Sequence, residues 1–248
     1  MRNPVTDCLL NHRSIRKFKP DPIEPGKIDA ILHAAIRTAT AGNLQAYALV
    51  VVDDPKRLKE MKLDSAPAAL FALVDQYRLK RWFEVSGTPF YNDQAANVLI
   101  SFWDATIALQ NAVVAAESLG LGTLYLGTVL SENVQEVLGA PQYTFPAGLV
   151  LLGYADETPA LRPRLPLEAV VHRNRYHVPT DEEIRGFYRE EDARYEALPE
   201  ETKAMLRKKG VTNRAQHRTI GHYTEELIRR ESEAILANLK RAGFRFTP

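Results

Sequence analysis

The segment from His12 to Phe18 holds the residues of this chain that are best suited to bind an anion. It reads His-Arg-Ser-Ile-Arg-Lys-Phe, which places basic and hydroxyl side chains close together. A second cationic pair, Arg162 and Arg164, follows an apolar run at 147–153. Guanidinium groups form paired hydrogen bonds with phosphate oxygens, although either cluster alone could be a solvated surface. Together the clusters predict one convergent anion site, for which a cofactor phosphate is a suitable ligand.

Apolar periodicity predicts the elements that must position these side chains. Strands are expected where short apolar runs end in turn residues, and helices where apolar residues recur every three to four positions. The predicted strands are 48–52, 69–74, 123–126 and 149–152, and the main predicted helices are 28–38, 56–61, 93–119, 131–138, 181–197 and 225–241. The helix at 93–119 is apolar on nearly every side, so it should be buried in a core or a subunit interface. Strands separated by helices predict an α+β or α/β layered fold.

Composition narrows the class of protein. The chain has 248 residues, 45% of them hydrophobic, and a formal net charge of +1, so nothing draws it as a whole to nucleic acid or to an anionic membrane. Its one cysteine, Cys8, excludes an intrachain disulfide and argues against a cysteine-based metal site. The least charged stretch, 105–130, is interrupted by polar residues and glycines, and no signal peptide is visible at the first residues. We therefore expect a soluble, cytoplasmic protein without a metal.

Composition and periodicity alone do not decide the role of two segments. Residues 76–92 mix aromatic and basic side chains, which is typical either of single-stranded nucleic-acid binding or, as we favour here, of a partly packed surface excursion. We expect a loop or an irregular helix there. The strongly charged part after Leu167 is expected to be helical, and could wrap a partner subunit or form a lid.

Six motifs, taken in order, resemble one known family. They are 11–18, 38–45, 115–122, 125–127, 162–166 and 209–214. Over nearly its whole length the chain resembles the nitroreductase superfamily of flavoproteins, and in particular the NADPH-dependent, oxygen-insensitive nitroreductases and flavin reductases. The resemblance implies a three-layer α-β-α domain spanning 1–248, with a mixed, mainly antiparallel central sheet, in an intertwined homodimer with its active sites at the interface. It also implies a helical, charged extension over about 168–248 with a mobile loop near 200–222.

The resemblance implies that FMN is the bound cofactor and assigns residues to it. The positions that match the family's FMN-binding residues are His12, Arg13, Ser14, Arg16, Thr40, Ala41, Gly42, Gln45, Tyr125, Leu126, Gly127, Thr128, Arg162 and Arg164. Alanine and glycine at 41–42 stand where relatives often have serines, which removes side-chain donors. A glutamine that relatives carry before the second strand is missing from 61–65, where Lys62 is the residue that could replace it.

The electron donor implied by the resemblance is NADPH, with NADH left open. No GxGxxG motif follows the first strand, so a Rossmann-type dinucleotide site is not expected. Lys209 and Arg214 match the residues that meet the 2′-phosphate of NADPH in relatives. The chemistry would take place on the cofactor by a ping-pong hydride transfer, so we expect no catalytic acid, base or nucleophile from the chain.

The expected acceptors are nitroaromatics, quinones or related small molecules. An NAD(P)H:flavin reductase that uses free FMN as its acceptor is the enzymatic alternative. A non-catalytic protein that binds flavin or nucleic acid is a third hypothesis, from a different class.

Overall fold

Four apolar segments pair into one sheet in the computed structural model, which describes residues 2–130 and 133–246. The strands are β1 Tyr47–Val52, β2 Ala68–Asp75, β3 Gly122–Leu126 and β4 Thr144–Gly153. Their order is β1-β2-β4-β3, so the two strands that are buried along their whole length lie at the centre. All pairings between these four strands are antiparallel. The parallel component of the expected mixed sheet is limited, in the described residues, to isolated bridges.

Eleven α-helices lie in the described part of the chain. They are α1 Pro4–Leu10, α2 Pro25–Ala35, α3 Pro55–Glu60, α4 Tyr77–Val85, α5 Ala95–Ser118, α6 Val134–Val137, α7 Asp181–Phe187, α8 Arg189–Glu196, α9 Glu200–Lys208, α10 Arg214–Thr219 and α11 Glu225–Arg241. Several begin as their sequences predict. Asp54 accepts a hydrogen bond from Arg57 N–H at the start of α3, and Thr180 and Glu183 form a reciprocal cap at the start of α7.

The sheet has a hydrophobic core on each face, as a three-layer α-β-α arrangement requires. Alternate residues of β2 belong to opposite cores: Leu70 and Ala72 face the core that contains α2 and α5, whereas Phe71 and Leu73 face the core that contains Leu58 of α3 and Val134 of α6. This alternation follows from the two-residue period of a strand. The three-layer α+β prediction is therefore confirmed.

Helix α5 is the central helix of the domain. Its buried residues, among them Ala105, Leu109 and Val113, pack with β2 and β4 in one core. By length and composition alone it could also cross a membrane, with a mean hydropathy of 1.5. Its side chains on the sheet belong to the core of the domain, while Leu99 and Trp103 are 56% and 64% exposed on the opposite side.

Close packing divides the chain into two compact units. Unit 1 comprises the residues up to Leu161 and those from Glu233 onward, and unit 2 comprises Arg162–Ser232. Unit 2, described along its whole length, contains helices and no strand. Within it the hydroxyl of Tyr195 on α8 donates to the carbonyl of Val211 over 3.0 Å, and both residues are buried.

Three segments differ from the elements expected of them. Residues 77–85 form a regular helix, α4, where a loop or irregular helix was expected. Lys80 and Arg81 pair with Glu84, and the ring of Phe83 packs at a tilt against those of Trp82 and Phe90. The segment near 200–222, expected to be a loop, contains α9 and α10, and its mobility stays a prediction. The helix expected at 131–138 is observed at Val134–Val137, and the first residue of the expected range, Ser131, lies outside the described residues.

Candidate active site

The N-terminal basic segment lies along the start of β3. Ser14 forms a parallel bridge with Thr123, and the N–H of Ile15 donates to the carbonyl of Thr123 over 2.9 Å. This approach requires glycine at 122, because a Cβ there would lie 2.7 Å from Cγ1 of Ile15. Burial of Ile15 anchors the segment, and the neighbouring Arg16 is directed to solvent.

The other edge of the segment is held by the chain that follows β4. The N–H of Asp156 donates to the carbonyl of Lys17 over 2.9 Å. Glu157 Oε1 accepts from the backbone N–H groups of Arg16 and Lys17, over 2.5 and 3.1 Å. These N–H groups hold the pKa of the Glu157 carboxyl below its usual value. The backbone N–H groups of Arg16 and Lys17 are thus already occupied, and their side chains remain for a ligand.

The two arginine side chains of the segment differ in exposure and in the hydrogen bonds that they make to the protein. Arg13 is half-buried and donates to the carbonyls of Asn11 and Pro159, each over 3.2 Å. Arg16 is exposed, and its recorded side-chain contact is a single long hydrogen bond of 3.4 Å to the carbonyl of Ser14. Arg16 therefore offers most of its guanidinium to an incoming anion.

His12 contacts the end of α5. Its Nδ1 lies 2.7 Å from Oε1 of Glu117, and the hydroxyl of Thr123 donates to the same oxygen over 2.6 Å. The side chains of His12 and Glu117 are 32% and 14% exposed. A single carboxylate thereby joins the basic segment, β3 and α5.

The far end of β3 carries the turn predicted to face the flavin ring. Tyr125 donates from its hydroxyl to Gln110 Oε1 over 3.2 Å, and burial together with the negative charge of Glu117 raises its pKa to about 12. Leu126 ends the strand, and Gly127 is exposed with open space where a Cβ would be. The backbone turns into a 3-10 helix at Thr128. Gly127 lets a planar ligand approach the main chain closely.

A tight turn contains the next group of predicted residues. Thr40 precedes a 3-10 turn, in which the N–H of Ala41 donates to Asp104 Oδ1 over 3.1 Å. Gly42 and Gln45 both have a positive φ, of 56° and 50°. This conformation suits glycine and strains glutamine. The structure therefore brings the small residues together on a rigid loop attached to α5.

Asp104, the residue that attaches this loop, is a buried carboxyl on α5. Burial raises its pKa, and the backbone N–H groups of Ala41 and Ala46 act in the opposite direction. On the other side of the loop, Arg78 of α4 donates to the carbonyls of Gln45 and Tyr47. Both ends of the loop are therefore fixed by side chains from helices.

Unit 2 contains a cavity of about 1260 Å³. Arg164, which is predicted to bind FMN, and Arg214, which is predicted to bind NADPH, both line this cavity. Arg162 is exposed at the start of the unit, and Lys209 is exposed directly after α9. The cavity is larger than most small-molecule sites, which span about 300–1,000 Å³.

Glu191 organises the charge in this cavity. It accepts hydrogen bonds from Arg194 over 2.8 Å and from Arg214 over 3.1 Å, and Arg218 lies 3.5 Å away. These guanidinium groups lower its pKa to about 2. Nη1 of Arg214 also lies 3.2 Å from Nδ1 of His217. The cavity as a whole is lined by five arginines and four carboxylates, so its formal charge is only one positive unit.

Comparison with known proteins decides the family. The model of the Nitroreductase family matches residues 9–154, which is more than half of the chain. The chain belongs to the nitroreductase family. It is 34% identical over 202 residues to the oxygen-insensitive NADPH nitroreductase of Salmonella typhimurium, which covers 78% of this chain and 82% of the relative.

Two further nitroreductase-family comparisons agree. The FMN reductase (NADPH) of Bacillus subtilis is 31% identical over 192 residues, covering 73% of this chain and 77% of the relative. The solved structure of NfrA2 from B. megaterium superposes with a TM-score of 0.83 at 28% identity and covers 100% of both chains. The family match includes the N-terminal segment, the loop at 40–45 and the turn at 125–128, whereas Arg162, Arg164, Lys209 and Arg214 lie beyond it.

The side chain of Lys62 differs in chemistry from the glutamine that the resemblance implies in this region. Lys62, the residue expected from the resemblance to replace a glutamine, lies exposed in the turn after α3 with a positive φ of 57°. Its ammonium group carries three donors and no acceptor, so it can replace the donor function of a glutamine only.

Sequence reasoning missed the acidic residues that hold these nitroreductase elements. Glu117, Asp104, Glu157 and Glu191 each bind a backbone or basic group from a distant part of the chain. Two of them carried a signal that could have been read: Asp104 and Glu117 are the only acidic residues in the otherwise apolar helix α5, where an unpaired charge would be costly.

Proposed function

We propose that this chain is an FMN-dependent NAD(P)H oxidoreductase that reduces nitroaromatics, quinones or related small acceptors by a ping-pong scheme. The observation that carries the proposal is the docked basic segment, which presents Arg16 almost free beside β3 in a chain of the nitroreductase family. Its relatives include proteins named FMN reductase (NADPH) and oxygen-insensitive NADPH nitroreductase.

The donor set of the site fits FMN. Arginine, serine and histidine side chains on the N-terminal segment match a phosphate, and a glycine-containing turn matches a flat ring. We assign the phosphate to His12, Arg13, Ser14 and Arg16, with Arg162 and Arg164 as the second cluster. We assign the ring and ribityl chain to Thr40, Ala41, Gly42, Gln45 and the turn at 125–128.

FMN supplies the hydride-transfer chemistry when it is bound. The chain contributes position and electrostatics. Glu157 holds the backbone under Arg16, and Asp104 and Arg78 hold the loop at 40–45, so that the contacting groups are fixed before a ligand arrives. Cations in the cavity of unit 2 attract the phosphates of the nicotinamide donor, and Lys209 and Arg214 are assigned to its 2′-phosphate.

We further propose a homodimer in the cytoplasm. Leu99, Trp103 and Ile107 make one side of α5 apolar and exposed, with exposed fractions of 56%, 64% and 45%. Exposed apolar patches of this kind are typical of subunit interfaces, and a second copy of the chain would cover this one. Sedimentation of a monomer at micromolar concentration would contradict the dimer.

A flavin reductase is the second function to consider, because one close relative carries that name. The two functions share the cofactor site and differ in the acceptor. Steady-state rates with free FMN and with a nitroaromatic, at equal NADPH, separate them: a higher kcat/KM for FMN would favour the flavin reductase.

The experiment that tests the proposed function is an anaerobic absorbance titration. The purified protein, reconstituted with FMN, is mixed with one equivalent of NADPH or NADH. We expect a bound-flavin spectrum that bleaches within the mixing time with NADPH. Failure to bind FMN would overturn the cofactor assignment, whereas bound flavin that neither donor bleaches would leave a flavin-binding protein without this activity.

Substitution of Arg214 tests the donor site. Arg214→Ala is expected to raise the KM for NADPH about fivefold to tenfold, and the KM for NADH less than about twofold, because only NADPH carries the 2′-phosphate that a guanidinium would bind. Steady-state kinetics with both donors measure the effect.

Arg194→Ala is the matched control for this substitution. Arg194 contacts the same carboxylate, Glu191, but is not assigned to the donor. If Arg194→Ala reproduced the NADPH-selective change, the effect of Arg214→Ala would come from loosening the Glu191 cluster and not from a lost phosphate contact.

A further inference from the structure

Glu117 occupies the last turn of α5 and touches two other elements of the site. Its Oε1 lies 2.7 Å from His12 Nδ1 and accepts from the Thr123 hydroxyl over 2.6 Å. The side chain is only 14% exposed. A carboxylate that is largely removed from water is stabilised by such hydrogen bonds and is costly without them. The position is therefore built to keep a carboxylate against His12.

The contact decides which nitrogen of His12 is available. Glu117 accepts only, so the hydrogen bond at 2.7 Å places a proton on Nδ1 of the ring. The other nitrogen, Nε2, has no hydrogen-bond partner among the described residues and is left for a ligand, in a side chain that is 32% exposed.

Thr123 links Glu117 and the basic segment to β3. Its backbone carbonyl binds the N–H of Ile15, and its hydroxyl binds Glu117. The same carboxylate also reaches the turn electrostatically, since its charge contributes to the raised pKa of Tyr125. Glu117 thus contacts the part of the site assigned to the phosphate and acts electrostatically on the part assigned to the ring.

We propose that Glu117 is a positioning residue, which orients the ring of His12 so that Nε2 faces the phosphate of the bound cofactor and which locks the basic segment onto β3. This inference rests on the proposed FMN site. Glu117 does not touch the cofactor itself, and its influence passes through His12.

A double-mutant cycle tests this coupling. The FMN dissociation constant is measured by flavin fluorescence for the apo forms of the wild type, E117A, H12A and the double variant. We expect E117A to raise the dissociation constant about fivefold to tenfold. In the H12A background the same substitution should change it less than about twofold, because the residue through which it acts is gone.

Two further variants make the outcomes distinct. E117Q keeps the size of the side chain and an acceptor oxygen, and should recover most of the lost affinity; T123V removes the other hydrogen bond to Oε1 and should change the affinity less than E117A. Circular dichroism checks folding, and if E117A does not fold, the cycle is run with E117L, which also lacks an acceptor oxygen. Equal effects of the Glu117 substitution with and without His12 would show a merely structural role and overturn the inference. Failure of the wild type to bind FMN would instead refute the proposed function.

Discussion

Replacement of Arg16 by alanine is expected to weaken FMN binding about 10- to 100-fold, which corresponds to loss of a charged hydrogen-bond pair worth about 1.5–3 kcal/mol. Arg16 is exposed, its one recorded side-chain hydrogen bond is long, and its backbone is held separately by Glu157. The substitution should therefore leave the segment docked and remove only the guanidinium. Titration of the apo-protein with FMN measures the dissociation constant.

Two variants separate the contribution of the paired guanidinium hydrogen bonds from that of the positive charge. Arg16→Lys keeps the charge and loses the paired geometry, so its affinity should lie between those of the wild type and Arg16→Ala. Lys19→Ala removes an exposed positive charge three residues away and should leave the affinity nearly unchanged. An Arg16→Ala protein that binds FMN as tightly as the wild type would show that this residue is not part of the phosphate site.

Gly122→Ala is expected to destabilise the protein by about 1–3 kcal/mol, because extra atoms in a filled site force their neighbours to move. The new Cβ would lie 2.7 Å from Cγ1 and 3.0 Å from Cβ of Ile15. The backbone at 122 does not have a positive φ, so the effect comes from this contact alone. Since Ile15 anchors the basic segment on β3, FMN affinity should fall as well. Denaturant unfolding and the FMN titration measure the two effects.

Matched variants isolate the contact at Gly122. Gly26→Ala places a Cβ in open space within α2 and should be neutral or slightly stabilising. Ile15→Ala removes the two Cγ atoms that the new methyl group would meet, so Gly122→Ala should be less damaging in that background than in the wild type. Strict additivity of the two substitutions would mean that the predicted clash does not occur.

Much of the fold could be predicted because its elements are locally determined. The run at 69–74 is apolar at every position, and the structure has it as β2, buried on both faces. The long helix predicted at 93–119 is observed at Ala95–Ser118. In both cases apolar burial and secondary-structure period agree, so local sequence and tertiary packing favour the same structure.

Helices α9 and α10 of unit 2 could not be predicted in the same way, whereas α7 and α8 lie within the helical stretch predicted at 181–197. Helices α9 and α10 have no buried residues in the structure, so no core contact fixes where they begin and end. Their ends are instead set by local features such as the cap that Asn213 forms with the N–H of Gln216. Such signals are weak in a charged sequence, because many of its residues can cap or end a helix.

The candidate site was predictable in its basic residues but not in their supports. The arginines and the glycine-containing turns stand out by type and spacing, and the resemblance to the nitroreductases gave them roles. The partners of Glu117 are His12, more than 100 residues away, and Thr123 on the next element. Contacts over such distances depend on how the sheet and α5 pack, which no local pattern specifies.

Strand β2 contributes side chains to both hydrophobic cores, and this affects how unit 1 unfolds. Phe71 belongs to one core and its neighbours Leu70 and Ala72 to the other, so separation of β2 from its partners exposes both cores at once. β2 therefore cannot separate from its partners while either core stays intact, and opening of the unit at this strand is cooperative. Backbone amides of β2 should exchange with solvent only through complete unfolding of unit 1, and their slow exchange would report the global free energy of that unit.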